Sequence, residues 1–173
     1  NGLKELETAC WVLDICNAKV NDSCGFHVHM DAASFNLDTW KNLALTYKHL
    51  EHLIDAFMPR TRRNNTYCKT LSGVSDERIK SVRTIDGLRE VFNNDRYHKV
   101  NFEAYSRHRT VEFRQHSGTT NFTKMENWIR FLNGLITFAK RSSLPSRMTL
   151  EGLPFLDGKQ KLFFKLRTKK LAV

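Results

Sequence analysis

The spacing of apolar residues divides the chain into helical and extended stretches. Leu3, Leu6, Ala9, Cys10, Leu13 and Ala18 form a partial stripe, so residues 3–18 read as a helix. Asn21, Asp22 and Ser23 signal a turn. Phe26, Val28 and Met30 then alternate with Gly25, His27 and His29. That period of two predicts a strand with both histidines on one face. Trp40, Leu43, Ala44, Tyr47, Leu50, Ile54 and Phe57 return at three- and four-residue steps, which predicts a long helix. Asn36 or Asp38 caps it and Pro59 stops it.

A polar, Arg-rich loop follows over residues 60–71, then short helices over 76–82 and 85–92 and a strand over 100–104. Val111 and Phe113 alternate with Thr110, Glu112 and Arg114, a second strand with a carboxylate and a guanidinium on one face. Residues 116–121 read as a loop. Thr123 with Glu126 three residues on forms a capping-box pattern ahead of a helix carrying Met125, Trp128, Ile129, Leu132, Leu135, Ile136 and Ala139. The plan is a core over residues 1–142, then a linker and a basic helix within 143–173.

Composition narrows the class. Three Trp, twelve Phe and 40% apolar residues in 173 suffice for a packed core and argue against a disordered chain. No apolar run approaches the roughly 20 residues that span a bilayer. The formal charge of +10 calls for an anionic partner: a nucleotide, a polyphosphate, nucleic acid or anionic lipid. Much of the excess lies in Lys159, Lys161, Lys165, Arg167, Lys169 and Lys170, a tail that either contacts nucleic acid or is a solvated face. Cys10, Cys16, Cys24 and Cys68 form no Cys-x-x-Cys pair and read as reduced thiols of a cytoplasmic protein.

Two strand faces can carry chemistry. His27 and His29 on one face stand about 7 Å apart along the strand. Zinc accepts that spacing, with Cys24 nearby and Cys68, His98, His108 or His116 as distant ligands, but an exposed polar sheet face has the same pattern. Glu112 and Arg114 either pair across the sheet, or bind a metal ion and an oxyanion. Magnesium takes one or two carboxylates plus phosphates and water, and the Arg fork donates in pairs to phosphate or carboxylate. Arg60, Arg62 and Arg63 add guanidinium groups in a loop that suits phosphate binding or plain solvation.

Three blocks in order resemble a known family. They are Asn21-Asp22-Ser23-Cys24-Gly25-Phe26-His27-Val28-His29-Met30-Asp31, then Arg62-Arg63-Asn64-Asn65-Thr66-Tyr67-Cys68, then Thr110-Val111-Glu112-Phe113-Arg114-Gln115-His116-Ser117-Gly118-Thr119, followed by Trp128-Ile129. Over residues 3–140 the chain resembles the amidoligases of the glutamine synthetase and glutamate–cysteine ligase superfamily. The resemblance implies an α+β fold, a curved antiparallel sheet with helices packed on one face. It implies an ATP- and magnesium-dependent carboxylate–amine ligase working through an acyl phosphate. Glu112 would hold the magnesium. Arg114, His29 and Arg63 would act on the reacting groups, and His27, Arg62, Asn64 and His116 would hold the nucleotide. Relatives open with a Glu-x-Glu strand, whereas Glu5 and Glu7 here lie in a helical pattern. The expectation is therefore a C-terminal portion, its first strands supplied by a preceding segment or by another copy in a homo-oligomer. Besides ATP, the implied partners are an amine and a carboxylate. Two other readings remain: a non-catalytic remnant used as a binding or structural module, and a zinc protein.

Overall fold

The computed structural model describes residues 2–172. The chain runs through α1 (Gly2–Ile15), β1 (Gly25–Asp31), α2 (Leu37–Ala56), a 3-10 turn at Arg60–Arg62, α3 (Asp76–Ser81), α4 (Ile85–Val91), β2 (Val100–Asn101), α5 (Ala104–His108), β3 (Thr110–Ser117), α6 (Phe122–Ala139) and α7 (Gly158–Leu171). The fold is α+β. The three strands form one antiparallel sheet in the order β1-β3-β2.

Alternation along the strands gives the sheet two unlike faces. Val28, Val111, Phe113 and Val100 turn toward α2 and α6 and are buried. Phe113 meets Tyr47 of α2 with ring centroids 5.8 Å apart. Behind it, Trp128 stacks on Phe131 of α6, and Phe164 of α7 packs on Phe57 at 4.4 Å. The helices thus cover one side of the sheet, and His27, His29, Glu112 and Arg114 share the other.

Local chemistry explains the element ends. Asn36 caps α2 by accepting from the Thr39 amide, and Pro59 follows the helix end. The strand expected over residues 100–104 stops at Asn101, and residues 104–108 are helical. The cause is local: the Asn101 side chain accepts from the Glu103 amide, an Asx turn that takes the chain off the sheet. Arg109 ends α5 in the left-handed region (φ 56), its guanidinium over the Tyr105 ring at 4.2 Å. The cap of α6 is Asn121, which accepts from Lys124, rather than Thr123. The reciprocal capping box occurs instead at α7, between Asp157 and Gln160. Between α6 and α7, Leu144, Leu153 and Leu156 are buried in the common core. Arg167 of α7 donates to the Phe57 carbonyl at the end of α2 across 2.8 Å. All four cysteines are free thiols.

One irregularity sets the site. Phe26 pairs with His116 and Val28 with Phe113, so His27 faces two residues, Arg114 and Gln115. This is a β-bulge on β3. Its effect is to turn two consecutive side chains, Gln115 and His116, to the helix side. Gln115 bonds Tyr47 and Asp55 of α2, while the His116 ring lies against Trp128 and Phe26.

Candidate functional site

Glu112 is the hub of the open sheet face. It pairs across the ladder with His29 on one side and Asn101 on the other. Its Oε1 accepts from Arg114 Nη1 at 2.9 Å and from His27 Nδ1 at 3.1 Å, with His29 Nε2 at 3.7 Å. Its Oε2 accepts from Asn101 Nδ2 at 2.6 Å. Burial alone would raise the carboxyl's pKa, but the hydrogen bonds from His27 and Asn101 and the Arg114 charge overcome it and hold the group at about 2. Glu112 is therefore an anion throughout the physiological range. His27 and His29 keep about a third or more of their side chains exposed, at 35% and 42%. They form the solvent side of the cluster, and His29 Nδ1 also lies 2.9 Å from Thr110 Oγ1.

Of the arginines singled out in the sequence, Arg60 is exposed, whereas Arg62, Arg63 and Arg114 are engaged by protein acceptors. Arg62 is buried and donates to the carbonyls of Arg114 and Gln115, the two residues of the bulge. It thereby satisfies backbone groups that the broken ladder leaves out. Its Nη2 also comes so near Gly25 that an added Cβ would lie 3.2 Å from it and 2.7 Å from His27 Nε2. Arg63 donates to the Met58 carbonyl. Arg114 has Glu112, a long contact of 3.4 Å to the Tyr67 carbonyl, and the Tyr97 ring under its guanidinium. Asn64 lies exposed in the loop after the 3-10 turn.

His116 lies on the far side of the sheet from Glu112. Its Nδ1 donates to the Ser117 carbonyl at 2.7 Å. Burial, with the positive charges of Arg167, Lys124 and Arg62 nearby, lowers its pKa to about 4 and keeps the ring neutral. The other zinc candidates do not converge. Cys24 Sγ turns to Asn21, His98 to the Thr70 carbonyl, and buried Cys68, its thiol raised to about 11 by burial, to the Arg62 carbonyl. Among the described residues no group of three or more His, Cys, Asp or Glu is placed to hold a metal ion. A divalent cation on this face would have Glu112 as its protein carboxylate and would need oxygen ligands from a bound phosphate or water.

A cavity of about 410 Å³ opens over Glu112 and His29. Its remaining walls include His108 of α5, weighed in the sequence only as a distant zinc ligand, and residues that pattern and motif did not mark: Asn101 on the floor, Arg107 of α5 and Arg96 ahead of β2. Arg89 braces the wall, bonding Glu103 at the start of α5 and Asp86 of its own helix. A sequence cue existed for Asn101, since an Asn within a short apolar run favours a turn. Arg96 and Arg107 reach the site only through tertiary packing.

The structure thus sets an ionised glutamate among histidines and an arginine on the open face of a small antiparallel sheet whose other face is covered by helices. Residues 1–136 match a family model described as "Putative amidoligase enzyme". The chain belongs to this amidoligase family. No curated protein and no solved structure matches it. No helix among the described residues is long and apolar enough to cross a membrane.

Proposed function

We propose that the chain carries the magnesium- and nucleotide-binding face of an ATP-dependent carboxylate–amine ligase. The observation that carries the proposal is Glu112: a carboxylate held ionised at about 2, on the floor of a cavity, among His27, His29, Asn101 and Arg114. The group has the charge and the oxygen donors that magnesium prefers. Magnesium bound there would neutralise phosphate charge. Arg114 fixes the carboxylate's position and brings positive charge to the same spot.

The reaction passes the γ-phosphoryl group of ATP to the carboxylate, giving an acyl phosphate and ADP. The amine then attacks the carbonyl carbon, phosphate departs with the bond electrons, and the nitrogen loses a proton. His29 and His27, both part-exposed beside Glu112, are the histidines placed to take that proton.

The test is amine-dependent release of phosphate from ATP and magnesium by the purified protein. Glu112→Gln should lower it at least about a hundredfold, the scale of losing an electrostatic group at a reacting phosphate. Circular dichroism and thermal melting should show a folded variant. Retention of full turnover by Glu112→Gln would remove the proposed metal site. One observation supports a second reading, a binding module of the same fold: among the described residues Glu112 is the lone carboxylate in the cluster. Binding of nucleotide without turnover under any amine would favour it.

A further inference from the structure

The arginines of the site and of the cavity wall fall into two sets, and of these Arg89, Arg96 and Arg107 line the cavity. Arg62, Arg63, Arg114 and Arg89 all donate to protein acceptors. Arg96 and Arg107 do not. Arg107 makes no hydrogen bond, ion pair or ring contact among the described residues, and Arg96 has only the Tyr97 ring at 5.5 Å. A ring contact through the guanidinium face leaves its N–H donors unused. Both side chains are exposed on their solvent edge and line the same cavity as Glu112.

The charges show the same division. The two carboxylates of the cavity lining each have their own cation: Arg114 for Glu112 and Arg89 for Glu103. Among the described residues the charges of Arg96 and Arg107 are left uncompensated in a concavity, where protein walls concentrate their field. His108 stands beside them, its ring edge-on to His29 at 5.8 Å.

We propose that the cavity wall formed by Arg96 and Arg107 is an oxyanion subsite for a carboxylate or phosphate group. It shares the cavity with Glu112 and His29. A ligand filling the cavity therefore meets both Glu112 on the strand floor and the guanidinium groups of Arg96 and Arg107. The planar fork of each guanidinium matches carboxylate and phosphate oxygens. The volume of about 410 Å³ suits a small molecule. The ligase reading determines what the oxyanion belongs to. It is either a second acidic group on the carboxylate substrate or the phosphate chain of the nucleotide.

Isothermal titration calorimetry at low salt separates these sources, with glutarate and magnesium-free tripolyphosphate as probes. The Arg96→Ala/Arg107→Ala double variant should weaken one or both probes about tenfold or more, the scale of lost charge-assisted hydrogen bonds. Loss for glutarate alone assigns the subsite to the acid substrate, and loss for tripolyphosphate alone assigns it to the nucleotide. A control lacking two exposed arginines elsewhere, Arg83→Ala/Arg147→Ala, should stay within about twofold, the screened long-range effect of surface charge. The proposal is overturned if the wild type binds neither probe, if the double variant binds both unchanged, or if the control loses as much. Magnesium–ATP binding by Glu112→Gln is measured alongside. If magnesium dependence survives there while the double variant has lost its probe, the ligase reading fails and the subsite stands. The opposite pattern overturns the subsite and leaves the ligase reading in place.

Discussion

The two faces of one three-stranded sheet carry polar clusters of similar make-up but different architecture. On the helix side, Lys99 is 1% exposed and reaches Asp55 at 2.7 Å and Glu51 at 3.5 Å. Asp55 also accepts from Gln115, which accepts in turn from Tyr47 at 2.7 Å. Glu51 accepts from Thr70, Ser72 and the Leu71 amide. Donors and acceptors are matched within the fold, so this cluster is closed. On the other side, Glu112 is equally well matched, but its histidines face solvent and two arginines lining the cavity, Arg96 and Arg107, have no acceptor among the described residues. Matched polar groups hold a structure together, and unmatched ones next to them are where a ligand adds what is missing.

The largest expected effect tests the closed cluster. Lys99→Met leaves Asp55 and Glu51 without their cation and should cost about 3–5 kcal/mol in urea unfolding. A cost below about 1 kcal/mol would mean that the helix-side network is not the frame described here.

Acid titration comes next. The folded pKa of Glu112, about 2, lies below its ordinary 4.5. Its share of stability is present in full above 4.5 and is lost as pH falls toward 2, about 3 kcal/mol in all. Denaturant unfolding followed down that range should lose this step in Glu112→Gln. His116 acts in a higher window, because its folded pKa of about 4 lies below the ordinary 6.5. Stability from the neutral ring is complete above 6.5 and declines as pH falls through 6.5 to 4, by up to about 3 kcal/mol. His116→Gln should flatten that upper limb and leave the lower one in place. If instead it removed the lower step, the assignment of the two residues to opposite faces would be wrong.

The smallest effect is expected where the ladder closes. The Gly118 amide donates to the Cys24 carbonyl at 2.8 Å, and a Cβ on Gly118 would sit 2.4 Å from the Cys24 Cβ and 3.1 Å from its carbonyl carbon. Gly118→Ala should cost about 1–3 kcal/mol in thermal unfolding, as overpacking does. Both clusters should weaken in proportion, since neither is touched directly.

Much of the sheet was legible because period-two alternation is strong in both long strands. It placed His27 and His29 on one face and Glu112 and Arg114 on one face, and the ladder joins the two pairs around a single carboxylate. The long helices were legible for the same kind of reason, with Trp40, Tyr47 and Trp128 all buried on their inner sides. Helix α5 was not, since five residues are too few to show a period. The partners of Arg62 were hidden too: an arginine that binds backbone carbonyls looks, in sequence, like one that binds phosphate. Strict alternation through β3 would put His116 beside Glu112, and the bulge puts it on the opposite side. Nothing in Arg114-Gln115-His116 announces an extra residue, because no glycine or proline marks it.

That extra residue has a consequence for chain length. With Gln115 removed, the ladder would run flush, Arg114 opposite His27 and His116 opposite Phe26, and every remaining side chain would keep its face. The loss would fall on the Tyr47–Asp55 link behind the sheet. Position 115 is therefore where a one-residue gap between homologues leaves the cavity floor in register, and an alignment that slides such a gap even a few residues along would equate Glu112 with a core position.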